Sequence, residues 1–221
     1  MAERVILQKG EPVKLEKFPD LKRVGVALSW KKRLTSGEDL DLDMSIFILG
    51  KDGKLLQSEV FYDPTTPNDR QNLVWSDSPK PGYEHGKKFF PNFVFYYNLV
   101  SPGGAVIRTP DETKGGIETA EIELPKIPAD ADKIVFVATI YDAVKRKQNF
   151  GQVEDAEIDF TNLETGEKMF AIDLDEDHSL NTAVHGFTLY RNNSGGFSVK
   201  NVSEGHVKGL DFFTDQYGLT A

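Results

Sequence analysis

Asp39, Asp41 and Asp43 stand at alternate positions of one short stretch, with Leu40, Leu42, Met44, Ile46 and Ile48 between and after them. Alternation of period two is the signature of a β-strand, so the three carboxylates share one face and the apolar set shares the other. Carboxylates about 7 Å apart along a strand repel each other when ionised. A bound cation relieves that repulsion, and hard oxygen ligands suit Ca²⁺. The same pattern describes the solvated outer face of an edge strand, and the stretch alone does not separate the two. It is not an EF-hand. Counted from Asp39, the sixth and twelfth positions, where such a loop needs Gly and Glu, hold Met44 and Gly50. Further ligands must come from elsewhere in the fold.

The elements that must position these carboxylates read as short strands separated by turn signals, the pattern of an all-β, two-sheet β-sandwich. Strands are predicted over residues 13–15, 24–30, 41–49, 93–97, 120–124, Lys133–Ile140, 156–162, 168–173, 182–191 and 196–202. The run from Ile134 to Ile140 is nearly all apolar and β-branched, which predicts a central strand buried on both sides. Residues 192–196 and 162–167 read as hairpin loops. Short helices are predicted over 210–216, ended by Gly218, and over 143–147. The chain reads as one domain over residues 1–221, with an insertion at about 57–91. That segment holds Pro64, Pro67, Pro79, Pro81 and Pro91, and carries Val60-Phe61-Tyr62 and Leu73-Val74-Trp75 as short strands or core anchors.

Composition excludes several classes. The 221 residues carry a net charge of −9, which opposes nucleic-acid binding through a general electrostatic field. The chain has no cysteine, so disulfides, thiolate zinc sites and cysteine nucleophiles are ruled out, in keeping with a reducing cytoplasm. Residues 1–10 lack the apolar core of a signal peptide, and no segment approaches the roughly 18 apolar residues of a membrane span. The four histidines, His85, His178, His185 and His206, show no zinc spacing, and no phosphate-binding or nucleophile-elbow motif is present. Asp173-Leu174-Asp175-Glu176-Asp177 reads as a solvated turn, and Lys145-Arg146-Lys147 as a basic patch that pairs with carboxylates or faces a partner.

Read in order, several segments resemble the TerD-type tellurite-resistance family of bacterial stress proteins. They are Leu7-Gln8-Lys9-Gly10, Asp41-Leu42-Asp43-Met44-Ser45, Phe93-Val94-Phe95-Tyr96-Tyr97-Asn98 and Ser101-Pro102-Gly103-Gly104. Asp132-Lys133-Ile134-Val135-Phe136, Asp142-Ala143 with Arg146-Lys147-Gln148-Asn149-Phe150-Gly151-Gln152-Val153, Leu189-Tyr190-Arg191 and Gln216-Tyr217-Gly218 complete the set. The resemblance implies a β-sandwich that binds Ca²⁺ in an acidic patch, with no established enzymatic activity. It also implies partners among other tellurite-resistance-type proteins or components of a stress complex, with peripheral association with a membrane complex as one form of it. Gly116 and Ile117 stand where family members carry acidic residues, which puts a second ion in doubt.

On that resemblance Asp41, Asp43, Asn98, Asp111, Glu118 and Asp142 form the candidate Ca²⁺ set. Asp142 follows the buried strand, where it also reads as a helix N-cap. Asn98 offers a neutral carbonyl oxygen at a strand end. Asp111 and Glu118 flank Gly115 and Gly116, a turn able to fold over an ion, although by themselves they read as a solvated loop. The expected function is a non-enzymatic calcium-binding scaffold or sensor. The alternative is a calcium-dependent module for a sugar or an anionic headgroup, walled by Trp75 and Tyr83.

Overall fold

The computed structural model describes residues 5–18, 20–32, 40–62, 86–96, 98–109, 116–174 and 178–219, with the side chains of 32, 59–62 and 86–90 left aside. One sheet runs, in spatial order, through β1 (Pro12–Lys14), β13 (Phe197–His206), β12 (Ala183–Arg191), β9 (Lys133–Ile140), β3 (Leu42–Leu49) and β6 (Phe93–Val94). The second runs through β11 (Glu167–Asp173), β10 (Val153–Asn162), β2 (Arg23–Lys32), β8 (Ile117–Glu123) and β7 (Val106–Arg108). The strand pairings within both sheets are antiparallel. β4 (Gln57–Tyr62) and β5 (Gly86–Pro91) form a separate antiparallel pair. Two α-helices, α1 (Ala143–Arg146) and α2 (Leu210–Tyr217), and four single-turn 3-10 helices complete the described elements.

The apolar run that predicts a central strand becomes β9, between β12 and β3, with Ile134 to Ile140 all buried. Phe136 stacks on Phe187 at 3.9 Å, and Phe160 meets Phe187 edge-on at 4.6 Å, joining the two sheets. β3 keeps its alternation. Leu42, Met44, Ile46 and Ile48 enter the core between the sheets. Phe47 and Leu49 point to the other face and join a second cluster with Phe93, Val135, Val137, Phe213 and Tyr217. The amphipathic α2 supplies the last two residues and covers this face. It ends at Gly218, whose φ of 79° takes the left-handed conformation that glycine adopts without strain. The face carrying Asp43 is therefore not a solvated outer face, because a helix packs over it and Asp43 is only 4% exposed.

Two strands escape the sequence pattern. β7 is a three-residue edge strand, too short to show a period, and β5 lies in the proline-rich segment read as an inserted loop. Predicted strand 93–97 shrinks to β6, after which Phe95 and Asn98 form an isolated bridge. Leu73-Val74-Trp75 and Tyr83 lie outside the described residues. Among the described residues no helix is long and apolar enough to cross a membrane.

Candidate metal centre

The start of β3 pairs with the end of β9, Leu42 opposite Ile140 and Asp43 opposite Thr139. The Tyr141 N–H donates to the Asp41 carbonyl at 2.9 Å, so Asp41 and Asp142 lie at the same end of the sandwich. Glu118, at the start of β8 in the other sheet, reaches the same place: its Oε2 accepts from the Met44 N–H at 2.5 Å. Register within each sheet and this one cross-sheet bond thus bring together three residues far apart in sequence.

Arg108, at the end of β7, is the residue that sequence reasoning missed. Its Nη2 donates to Asp43 Oδ1 at 3.4 Å and also to Glu118 Oε1. All three side chains are buried. A buried guanidinium between two carboxylates neutralises much of the repulsion that a cation was expected to relieve. Burial pushes the Glu118 carboxyl up to about 8, against the pull of Arg108 and the Met44 N–H. The one available signal for Arg108 was a charged residue closing the apolar pair Val106-Ile107.

Asn98 is fully buried. Its Nδ2 donates to the Phe93 carbonyl at 2.6 Å, while its Oδ1 meets no donor among the described residues. Ser45 Oγ, two residues beyond Asp43 on the same face of β3, is also buried without a described partner. Asn98 adjoins Arg108 through its neighbour: the Arg108 N–H donates to the Leu99 carbonyl at 2.7 Å. Unmet buried acceptors are costly and rare, and a hard cation satisfies them as well as a donor does.

Asp142 departs from the helix-cap reading. It precedes α1 in the left-handed region with φ 51°, and its side chain makes no cap bond. Its carboxylate, partly exposed, lies 3.6 Å from Lys145 Nζ. Gly116 also has a structural reason. A Cβ there would come within 2.5 Å of the Trp30 carbonyl oxygen, so this backbone leaves no room for an acidic side chain. Asp39 and Asp111 lie outside the described residues. Among the described residues no group of three or more His, Asp or Glu is gathered closely enough to hold a metal ion. Asp41 and Asp142 are ligands of the right chemical type at one end of the fold and Asn98 lies next to Leu99, which bonds Arg108, whereas Asp43 and Glu118 are engaged by Arg108.

Comparison with known proteins agrees with this architecture. The TerD domain profile matches residues 4–82 and 84–217. The tellurium resistance protein TerD of Serratia marcescens is 37% identical over 222 residues, covering 98% of each chain. General stress protein 16U of Bacillus subtilis is 34% identical, covering 97% of each. A crystal structure of a homologue of telluride resistance protein (TerD) from Streptomyces coelicolor superposes with a TM-score of 0.59 at 16% identity, over 87% of this chain and 95% of that one, which speaks for the fold alone.

Proposed function

Because the chain belongs to the TerD family, we propose that it is a non-enzymatic, cytoplasmic calcium-binding protein of the stress response, acting as a scaffold or sensor with other tellurite-resistance-type proteins. The observation that supports the metal reading is the buried Oδ1 of Asn98, which meets no donor among the described residues and adjoins Arg108 through Leu99. Ca²⁺ takes about six to eight oxygens, carboxylate and amide carbonyl among them. Asp41, Asp142 and Asn98 would hold it, and Asp111, expected as a further ligand from the sequence, lies outside the described residues. Arg108 stands in for a cation between Asp43 and Glu118, which leaves room for one ion better than two. When bound, the ion supplies positive charge that draws acidic loops together and so shapes a partner surface.

Calorimetry and thermal scans in EDTA, Ca²⁺ and Mg²⁺ test this reading. Millimolar Ca²⁺ should raise the melting temperature, since a ligand that binds only the folded state stabilises it. Mg²⁺ should do much less, because it demands a tighter octahedral shell. Asp142→Asn and Asn98→Ala should each weaken Ca²⁺ binding, whereas Asp175→Asn should not. Absence of a Ca²⁺-dependent shift, or sensitivity to Asp175→Asn instead, would show the site to be misplaced.

A further inference from the structure

Among the described residues seven large apolar side chains are exposed, and five of them gather at one end of the sandwich: Ile117, Tyr141, Val144, Leu180 and Val207. Ile117 opens β8, Tyr141 follows β9, Leu180 lies just before β12 and Val207 follows β13. Strand register makes these one end. Ala183 pairs with both Thr139 and His206, Leu42 pairs with Ile140, and the Met44–Glu118 bond ties in the second sheet. Backbone bonds knit the loops together: Phe150 N–H donates to the Asn181 carbonyl, and Thr182 N–H to that of His206, each at 2.9 Å. The other two exposed residues, Val5 and Ile6, belong to the N-terminal segment, where Ile6 bridges Ala171 of β11.

The three most exposed tips, Val144 at 84%, Leu180 at 79% and Val207 at 63%, stand on three different connections, Val144 on the single turn α1 and the others in the segments before β12 and after β13. Lys145 follows Val144 and Lys208 follows Val207. Arg146 lies over the Tyr141 ring at 4.9 Å, and Lys147 closes the turn. Single apolar residues scattered over a surface need no explanation, but their convergence on one end beside a basic cluster does. Separate tips on separate connections suit a fluid surface that receives each one independently, and the neighbouring cations suit an anionic one. We propose that this end of the molecule docks on an anionic membrane surface. Val144, Leu180 and Val207 enter the boundary between headgroups and acyl chains, while Lys145, Arg146, Lys147 and Lys208 face the headgroups. The attraction is local. Asp41 and Asp142 share this end, Asp142 lying 3.6 Å from Lys145, and the chain as a whole is acidic, so the cations act only on headgroups within the roughly 8–10 Å to which salt confines each field. The docking does not depend on the calcium reading.

The test is co-sedimentation of the full chain with phosphatidylcholine vesicles, with and without phosphatidylserine, in EDTA and in Ca²⁺. The chain should sediment with the anionic vesicles and at least about tenfold less with neutral ones. Val144→Asp with Leu180→Asp, and separately Lys145→Glu with Lys208→Glu, should each lower vesicle binding about tenfold. Both variants should keep the wild-type melting profile, since the altered side chains are exposed. Failure of the wild-type chain to sediment with anionic vesicles would overturn the proposal and leave this end to a protein partner. Sedimentation of either variant equal to that of the wild-type chain would also overturn it, as would sedimentation seen only with Ca²⁺ and indifferent to the tips. Calorimetry without vesicles keeps loss of metal binding distinct from loss of docking.

Discussion

Arg108 illustrates how one side chain can hold two sheets. It lies in the second sheet beside Glu118, yet it also bonds to Asp43 of the first. Removing one partner of a buried charge cluster exposes the others to the full cost of desolvation, about 3–5 kcal/mol. Arg108→Met should therefore lower stability by about that amount in EDTA, read from urea denaturation. A loss under about 1 kcal/mol would mean that the cluster does not hold this end together. Lys145 offers the contrast. It also lies near a carboxylate, but its side chain is 84% exposed, so Lys145→Ala should stay within about 0.5 kcal/mol of the wild-type chain. Sequence alone treats Asp43 and Asp142 alike, and burial separates their roles.

At the scale of elements, α2 and the two strands beneath it carry a pH dependence. His206 stacks on Phe212 at 4.1 Å and meets Phe213 edge-on at 4.9 Å, while His185 meets Phe213 edge-on at 6.3 Å. Burial, with the nearby His206, pushes the His185 imidazole down to about 4. Burial also lowers His206, opposed by Glu204 at 4.0 Å. Burial and the charge of Glu204 raise the Tyr217 hydroxyl to about 12, so it stays neutral throughout. A base whose folded pKa lies below its unfolded value of about 6.5 contributes stability that is complete above that pH. The contribution drains away as pH falls from about 6.5 towards 4. Denaturation midpoints measured between about pH 6.5 and 5 should therefore fall in the wild-type chain and fall less in His185→Gln. An equal slope in both would remove His185 from the account. In the same cluster Phe213→Ala should cost about 3–5 kcal/mol, as truncation of a buried aromatic ring usually does.

For the whole molecule, the test case is the segment between β4 and β5. Tyr62 lies directly opposite Gly86, so the two strands already close on each other as a hairpin. The pair is anchored at its base, where Asn92 Nδ2 donates to the Leu56 carbonyl at 3.1 Å and to Ser58 Oγ at 2.8 Å. Replacing residues 63–85 with Asn-Gly, the pair favoured in two-residue hairpin loops, should leave a cooperative melt and unchanged Ca²⁺ response. An insoluble product, or a melt without cooperativity, would show that Val74 and Trp75 complete the core of the sandwich.

The amino-acid sequence by itself determined the strands whose period or composition is unmistakable. β9 follows from an unbroken apolar run, β3 from strict alternation, and α2 from an amphipathic stretch closed by Gly218. These are local properties, set by the geometry of one strand or one helix. The motifs in order were equally legible and led to the family. Pairing across the sheets was not, because contacts between distant residues leave no mark in a local pattern. Only the tertiary structure placed Arg108 between Asp43 and Glu118, buried the Asn98 oxygen without a donor among the described residues, and folded α2 over a strand face that alternation alone would expose to water. The physical reason is that a side chain's charge state and role follow from burial and neighbours, and both are decided by how the sheets and helix pack.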